Sequence, residues 1–237
     1  MKYVIKETWG VPILSGRPQA TQKSKIYCSR LMFITFEGID LCGKSTQAKL
    51  LLEYLQSQKK KVIYVREPGG TKISEKIRHL LLDKDHIEME YVTEFLLFSA
   101  SRYQLTNEVI KPHLKKGYIV ICDRYYDSST AYQGFGGKID VKDINQVNRI
   151  ATSGLTPDMT FLLHITPQES FKRKKLRNKG ADRIEEKTLT YYKKVVEGYM
   201  EIAKANKKRY KVIDGRKNVN DIHAFIVSSI STHKRNL

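Results

Sequence analysis

The chain reads Gly38-Ile39-Asp40-Leu41-Cys42-Gly43-Lys44-Ser45, which matches the pattern G-x-x-x-x-G-K-[ST]. An apolar run with β-forming residues at 31–36 precedes this match, and residues 46–55 follow it with apolar side chains at helical spacing. A glycine-rich loop between a strand and a helix lets backbone N–H groups turn toward one anion, and the helix N-terminus adds partial positive charge. The pattern therefore predicts a phosphate-binding loop, or P-loop, for a nucleoside triphosphate.

Two residues at the end of this loop have defined chemistry. Lys44 would reach the β- and γ-phosphates, and the Ser45 hydroxyl would ligate Mg²⁺. The six histidines show no metal-binding spacing, so we expect Mg²⁺ to arrive with ATP. The alternative is a turn that merely joins a strand to a helix, and the two correct flanks argue against it. The predicted ATP-binding loop comprises Gly38, Ile39, Asp40, Leu41, Cys42, Gly43, Lys44, Ser45 and Thr46.

Composition limits the class of protein. The chain has 237 residues, of which 41% are hydrophobic, enough for one sizeable α/β domain. No apolar run approaches the ~18–20 residues of a membrane span, so we expect no membrane partner. The net charge of +18 suits polyanionic substrates and also nucleic acid. Because the lysines are spread over helical surface positions without an arginine-rich stripe, we expect no nucleic-acid partner.

The three cysteines, Cys28, Cys42 and Cys122, have no C-x-x-C spacing. An odd, unpaired set indicates a reducing compartment, and we expect the protein in the cytoplasm. Cys42 lies beside Lys44 at a helix N-terminus, where a thiolate is favoured. The alternative interpretation of Cys42 is a small, buried and inert residue.

Strands and helices alternate from residue 32 onward. This rhythm, with a P-loop after the first strand, predicts an α/β fold with a doubly wound five-stranded parallel sheet. We expect residues 1–31 to be a flexible N-terminal extension and 32–237 to form the P-loop domain. The predicted strands are 32–37, 62–66, 118–123, 159–165 and 210–214. The predicted helices are 44–58, 72–83, 90–111, 141–152, 167–176, 186–206 and 219–233.

Two further segments carry candidate chemistry. Asp123 ends a buried strand, where an acid can orient Mg²⁺, and Arg124 follows at the sheet edge where ligands bind. The alternative is a capping Asp123 with a surface-paired Arg124. The basic run at 172–177, followed by Gly180, is either a solvated charge run or a mobile lid. A lid would bring cations to the transferring phosphoryl group and exclude water.

Further motifs resemble the bacterial thymidylate kinase family. They are Arg66-Glu67-Pro68-Gly69-Gly70-Thr71, Leu97-Phe98-Ser99-Ala100-Ser101-Arg102, Asp123-Arg124-Tyr125 with Ala131-Tyr132-Gln133-Gly134, and Asp182-Arg183-Ile184-Glu185. The resemblance covers about residues 32–233. It implies a nucleoside monophosphate kinase-like P-loop fold with a basic lid, a homodimer, and the reaction ATP + dTMP → ADP + dTDP in dTTP biosynthesis.

The resemblance also implies roles for the acceptor site. Phe98 would stack on thymine, Arg102 would donate to its O4, and Tyr132 would lie against the sugar C2′. An arginine presents only donors, so it would disfavour the amino group of cytosine. Without the resemblance, one helical phenylalanine is more often a core residue. The implied dTMP-binding set is Asp40, Arg66, Phe98, Ser101, Arg102, Arg124, Ser129, Tyr132 and Gln133.

The sequence departs from some family members, which carry an arginine inside the P-loop where Leu41 and Cys42 stand here. The catalytic cation would then come from the lid, and which lid arginine reaches the phosphoryl group stays open. The expected lid contacts to ATP are Arg173, Arg177 and Arg183. The expected metal ligands are Ser45 and Asp123. The expected catalytic set is Lys44, Arg124, Asp40, Arg177 and Arg173.

Two rival functions remain open from the sequence. One is a different nucleoside or nucleotide kinase, and the other is a nucleic-acid-binding protein with a vestigial P-loop.

Overall fold

The computed structural model describes residues 32–177 and 180–235. The predicted extension at 1–31 lies outside the described residues, as do 178–179. Every predicted strand is present, within one residue of its predicted ends. The strands are β1 (Phe33–Glu37), β2 (Val62–Arg66), β3 (Ile119–Asp123), β4 (Met159–His164) and β5 (Tyr210–Asp214). They pair in parallel in the order β2-β3-β1-β4-β5, which confirms the predicted sheet.

The helices between the strands also follow the predicted pattern. They are α1 (Lys44–Ser57), α2 (Lys72–Leu82), α3 (Tyr91–Leu105), α4 (Lys111–Lys115), α5 (Tyr126–Ser129), α6 (Val141–Ala151), α7 (Pro167–Leu176), α8 (Leu189–Ala205) and α9 (Val219–Arg235). The single helix predicted over 90–111 is α3 continued by a π-helical turn, Thr106–Ile110, into α4. In the described part of the chain, no helix has the length and apolar character to cross a membrane.

One helical stretch was not predicted. Residues 126–136 form α5 and a π-helical segment, Thr130–Gly136, where the sequence has two glycines and no clear helical period. Tertiary packing explains this helix: the segment lies against α8, where Gly198 accommodates the ring of Phe135. A Cβ atom added at Gly198 would stand 2.6 Å from that ring.

The central strands are largely apolar because both faces of the sheet are covered. On β3, Val120 and Cys122 join one buried cluster, and Ile121 between them joins the other. The first cluster also holds Leu105 of α3, and the second holds Leu51 of α1. Alternate residues of one strand therefore serve two hydrophobic layers.

The carboxyl ends of three neighbouring strands meet at one edge of the sheet. Asp123 is in register with Arg66 of β2 and with Phe36 of β1. The loops that follow β1, β2 and β3 therefore begin side by side, as expected for ligand binding in open α/β sheets. This edge holds the candidate site.

Candidate functional site

The P-loop leaves β1 through two glycines in the left-handed backbone region. Gly38 has φ of 134° and Gly43 has φ of 100°. A Cβ atom at Gly38 would lie 2.4 Å from the Leu163 carbonyl oxygen, so only glycine fits there. Helix α1 then begins at Lys44 without a side-chain cap. Its first N–H groups are therefore available to an anion.

Lys44 is buried, and its Nζ donates a hydrogen bond to the Ile39 carbonyl oxygen at 3.0 Å. The bond holds the ammonium inside the loop. Cys42, two residues earlier, is also buried, and burial raises the pKa of its thiol. The thiolate interpretation of Cys42 is therefore wrong, because desolvation outweighs the lowering effect of Lys44. Cys42 is a small core residue of the loop.

Ser45 and Asp123 lie in direct contact beside the P-loop. The Ser45 hydroxyl donates to Asp123 Oδ2, and the Tyr64 hydroxyl donates to the same oxygen at 3.2 Å. A hydroxyl and a carboxylate oxygen are ligands that Mg²⁺ prefers. Over 32–177 and 180–235, no group of three or more His, Cys, Asp and Glu side chains could hold a metal ion. The two residues therefore fit a Mg²⁺ whose remaining ligands come from phosphates and water.

Two cavities open at this edge and meet each other. The P-loop cavity is lined by Asp40, Leu41, Gly43, Lys44, Ser45, Thr46, Lys49, Tyr64, Arg66, Glu67, Arg78, Asp123, Arg124, Arg177, Asp182 and Glu185. The inner cavity is lined by Asp40, Glu67, Pro68, Arg78, Leu82, Phe98, Arg102, Arg124, Ser128, Ser129, Tyr132, Gln133, Asp182 and Ile184. Both linings include Asp40, Glu67, Arg78, Arg124 and Asp182. Groups bound in the two cavities would face each other across this junction.

Arg124 and Asp40 form an ion pair at the junction. Arg124 has φ of 71°, and its Nη2 donates to Asp40 Oδ1 at 2.6 Å. Its Nη1 donates to the Gly38 carbonyl oxygen at 2.9 Å. Burial alone would raise the pKa of Asp40, but Arg124 and Lys44 lower it to about 2. Asp40 is therefore a fixed carboxylate that aims Arg124.

The lining of the inner cavity includes an aromatic ring, Phe98, and a buried cation, Arg102. Phe98 is half-buried and lines the wall. Arg102 is 1% exposed, and its Nε donates to Glu67 Oε2 at 2.8 Å. Its Nη2 donates to the Ser129 hydroxyl at 2.9 Å. Burial raises the pKa of Glu67 to about 7 against the lowering effect of Arg102. Such a cavity fits a flat ring with polar edges.

Tyr132 and Gln133 reach the same cavity from the π-helical segment that was not predicted. The Tyr132 hydroxyl donates to Asp40 Oδ2 at 3.0 Å, which ties the ring to the junction. Gln133 Nε2 donates to Glu94 Oε1 at 2.9 Å, and Gln133 lines the cavity. Both residues therefore line the inner cavity, as members of the dTMP-binding set that the motif resemblance implies.

Three predicted site residues lie elsewhere. The Ser101 hydroxyl accepts a hydrogen bond from the Gly69 N–H at 3.3 Å and lines neither cavity. Arg173 Nη1 donates a hydrogen bond to the Leu41 carbonyl oxygen at 3.0 Å, and this bond holds the side chain against the P-loop backbone. Arg183 is buried and lies 2.8 Å from Glu94. Other partners hold all three side chains away from the cavities in this structure, and their contacts with ATP or dTMP stay predictions.

Arg177, a predicted ATP contact, and Arg66, a predicted contact of the dTMP phosphate, both line the P-loop cavity, and each is paired with a carboxylate. Arg177 contacts Glu185, with Nη1 to Oε1 at 3.0 Å. Arg66 contacts Glu75 at 3.0 Å. Among the lid arginines of the described residues, Arg177 alone lines this cavity.

The sequence interpretation missed Arg78, which lines both cavities. Its Nη1 donates to the Pro68 carbonyl oxygen at 3.0 Å. Burial, and then the charge of nearby Arg66, lower the pKa of Arg78. With Arg124, these residues concentrate positive charge that a bound anion would neutralise. The only sequence signal was an arginine on α2, a helix that follows the loop after β2.

The comparisons with known proteins all match one family. A protein-family model described as thymidylate kinase matches residues 36–226. A thymidylate kinase of Chlorobium luteolum is 45% identical over 208 residues, covering 84% of this chain and 97% of that protein. One from Sulfurihydrogenibium sp. is 46% identical over 198 residues, covering 84% of this chain and 96% of that protein. The crystal structure of thymidylate kinase from Ehrlichia chaffeensis matches with a TM-score of 0.69 and 35% identity, covering 84% of this chain and 98% of that one.

Proposed function

Because this chain belongs to the thymidylate kinase family, we infer that it transfers the γ-phosphoryl group of ATP to dTMP, which gives dTDP for dTTP biosynthesis. The observation that supports this most directly is the meeting of the two cavities at Asp40 and Arg124. ATP occupies the P-loop cavity, and dTMP occupies the inner cavity. The phosphate of dTMP then faces the γ-phosphate across the junction.

Acceptor recognition is assigned to the inner cavity. Phe98 stacks on the thymine ring, and Arg102 directs a donor to O4 from a position fixed by Glu67 and Ser129. A base with an amino group at this position would meet only donors, which disfavours cytosine. Tyr132 stands against the sugar, where a ribose hydroxyl would meet its ring.

Arg66, Arg78 and Arg124 hold the phosphate of dTMP. The acceptor is already an anion, so the reaction needs positioning and charge neutralisation more than a general base. Asp40 contributes by fixing Arg124 and, because it lines both cavities, is assigned to the sugar 3′-hydroxyl. These roles rest on lining and on hydrogen bonds within the site.

On the donor side, Lys44 and the N-terminus of α1 neutralise the β- and γ-phosphates. Ser45 and Asp123 would hold the Mg²⁺ that enters with ATP, and the ion would neutralise part of the negative charge on the phosphates. Arg177 is the lid cation in this assignment. Arg177 is paired with Glu185, and the phosphate oxygens of bound ATP would draw its guanidinium away from that carboxylate.

A second copy of this chain is the proposed partner. Apolar side chains are exposed in stripes on α2 and α3, two helices that pack together: Ile73, Leu80, Val92, Leu96 and Tyr103. Burying such stripes against an identical pair would give a homodimer, and sedimentation equilibrium measures the mass directly. We place the enzyme in the cytoplasm, consistent with Cys42 and Cys122 as free thiols, and expect no nucleic-acid partner.

A substrate panel tests the function. Initial rates of ADP formation should be highest with dTMP, lower with dUMP, and near background with dCMP, dGMP and thymidine. Thymidine lacks the phosphate that the three arginines hold, and dCMP presents an amino group to Arg102. Preference for an unphosphorylated nucleoside would indicate a different kinase. Salt-dependent oligonucleotide binding without ADP formation would indicate a nucleic-acid-binding protein.

Phe98→Leu should raise KM for dTMP by about 10-fold and leave KM for ATP near its wild-type value. The change removes a stacking face, which is worth on the order of 1–2 kcal/mol. Phe95→Leu is the matched control, because Phe95 lies on the same helix but is buried and lines neither cavity. Equal effects of Phe98→Leu on both KM values would indicate core damage instead.

A further inference from the structure

Glu94 is a fully buried carboxylate on α3 to which no step above assigns a role. Its Oε1 accepts a hydrogen bond from Gln133 Nε2 at 2.9 Å, and its Oε2 lies 2.8 Å from Arg183 Nη1. Gln133 lines the inner cavity, whereas Arg183 belongs to residues 180–188, the segment that follows the lid. One carboxylate therefore contacts the acceptor pocket on one side and the base of the lid on the other.

Segment 180–188 reaches both cavities. Asp182 and Ile184 line the inner cavity, and Asp182 and Glu185 line the P-loop cavity. Glu185 also holds the lid cation Arg177. Arg183 anchors the segment to the end of α2, because its Nε donates to the Leu81 carbonyl oxygen at 2.9 Å. A shift of this segment would change the surroundings of both substrates at once.

The contact between Glu94 and Arg183 is short but incompletely hydrogen-bonded. Neither Glu94 Oε2 nor Arg183 Nη2 has a hydrogen-bond partner among the described protein atoms, although both are buried. Lys187 Nζ, at 3.9 Å from Glu94 Oε2, adds a second cation. Buried polar atoms almost always find partners, so this pair has unused bonding capacity. This unused bonding capacity marks the Glu94–Arg183 contact as the point at which segment 180–188 can rearrange.

We propose that Glu94 is a positioning residue that couples the lid to the acceptor pocket, so that binding of one substrate strengthens binding of the other. dTMP contacts Gln133 and thereby orients Glu94, Glu94 then sets the position of Arg183, and segment 180–188 presents Arg177 to the nucleotide. Coupling is reciprocal, so ATP acts on dTMP affinity by the same factor. This inference rests on the proposed function.

The test is a calorimetric measurement of dTMP affinity with and without a saturating β,γ-imido analogue of ATP and Mg²⁺. We expect the analogue to tighten dTMP binding by about 5-fold or more in the wild-type protein. Glu94→Gln keeps an oxygen for Gln133 but removes the charge that attracts Arg183, so the factor should fall to below about 2-fold. Arg183→Lys keeps the charge but loses the guanidinium fork, and it should also reduce the factor.

Asp127→Asn is the matched control, because it also breaks a buried carboxylate–arginine pair. Asp127 contacts Arg209 at 2.7 Å and 2.9 Å and lines neither cavity. The control should keep the wild-type factor. Wild-type coupling in Glu94→Gln and Arg183→Lys, an equal loss in Asp127→Asn, or independent binding of both ligands to the wild-type protein would each overturn the proposal. Wild-type protein that binds no dTMP would contradict the proposed function itself.

Discussion

Lys44→Met is expected to lower kcat for dTMP phosphorylation by about 10²–10³-fold while the protein stays folded. Lys44 Nζ is held inside the P-loop by its bond to the Ile39 carbonyl oxygen, at 3.0 Å, and the side chain lines the P-loop cavity. Negative charge shifts toward the bridging oxygen of ATP during transfer, and in the proposed function the ammonium of Lys44 stabilises it there. Methionine occupies a similar volume without the charge. The lost stabilisation therefore falls on the transition state.

Initial rates at saturating ATP and dTMP measure this effect, and thermal unfolding of the same samples reports the fold. Lys76→Met is the matched control, because Lys76 is exposed on α2 and lines neither cavity. It should retain wild-type kcat. If Lys44→Met kept more than about a tenth of wild-type kcat, the ATP assignment of the P-loop would be contradicted.

The sheet could be predicted from the sequence because its signals are local. Each strand is a short, nearly continuous apolar run that ends where polar or glycine residues begin, and the predicted ends were correct within one residue. The P-loop could also be predicted, because Gly38 and Gly43 have positive φ angles, and a Cβ atom at Gly38 would clash with the backbone. Residues 126–136 carried no such signal. Their helical form depends on α8, which lies more than fifty residues later in the chain.

The contacts that the arginines make could not be predicted, because a long side chain can pair with groups that are far away in the sequence. Arg183 is drawn into the protein by Glu94 and by a carbonyl at the end of α2. Arg173 turns toward the Leu41 carbonyl oxygen, and only Arg177 of the three lines the P-loop cavity. In the sequence all three stand close together in one basic segment. Arg78 was missed for the same reason, since nothing local marks the inward face of α2.

Cys42 is a second case in which burial decided the outcome. Sequence position placed the thiol near Lys44 and a helix N-terminus, two features that lower a thiol pKa. The structure adds nearly complete burial, which acts in the opposite direction and dominates. The sequence gives the neighbours along the chain, but desolvation depends on the atoms that the fold brings from β4 and α1.

Arg124→Lys is expected to lower kcat/KM for dTMP by about 10–10²-fold, and Arg124→Ala by about 10³-fold. The guanidinium uses Nη2 for Asp40 and Nη1 for the Gly38 carbonyl oxygen, so two donors in one plane fix its direction at the junction. A lysine keeps the charge but has no planar fork, and its ammonium cannot make both contacts at this geometry. The alanine variant also removes the charge that, in the proposed function, neutralises phosphate oxygens in both cavities.

The difference between the two Arg124 variants separates geometry from charge. Arg149→Lys is the control for the chemical change, because Arg149 is exposed on α6 and lines neither of these cavities. It should behave as wild type in steady-state kinetics. If Arg124→Lys stayed within about 3-fold of wild type while Arg124→Ala lost activity, charge alone would suffice and the fixed pairing with Asp40 would be unnecessary. We expect Arg124→Lys to lose more than about 3-fold in kcat/KM with an unchanged melting temperature, because its two partners set the direction of the guanidinium.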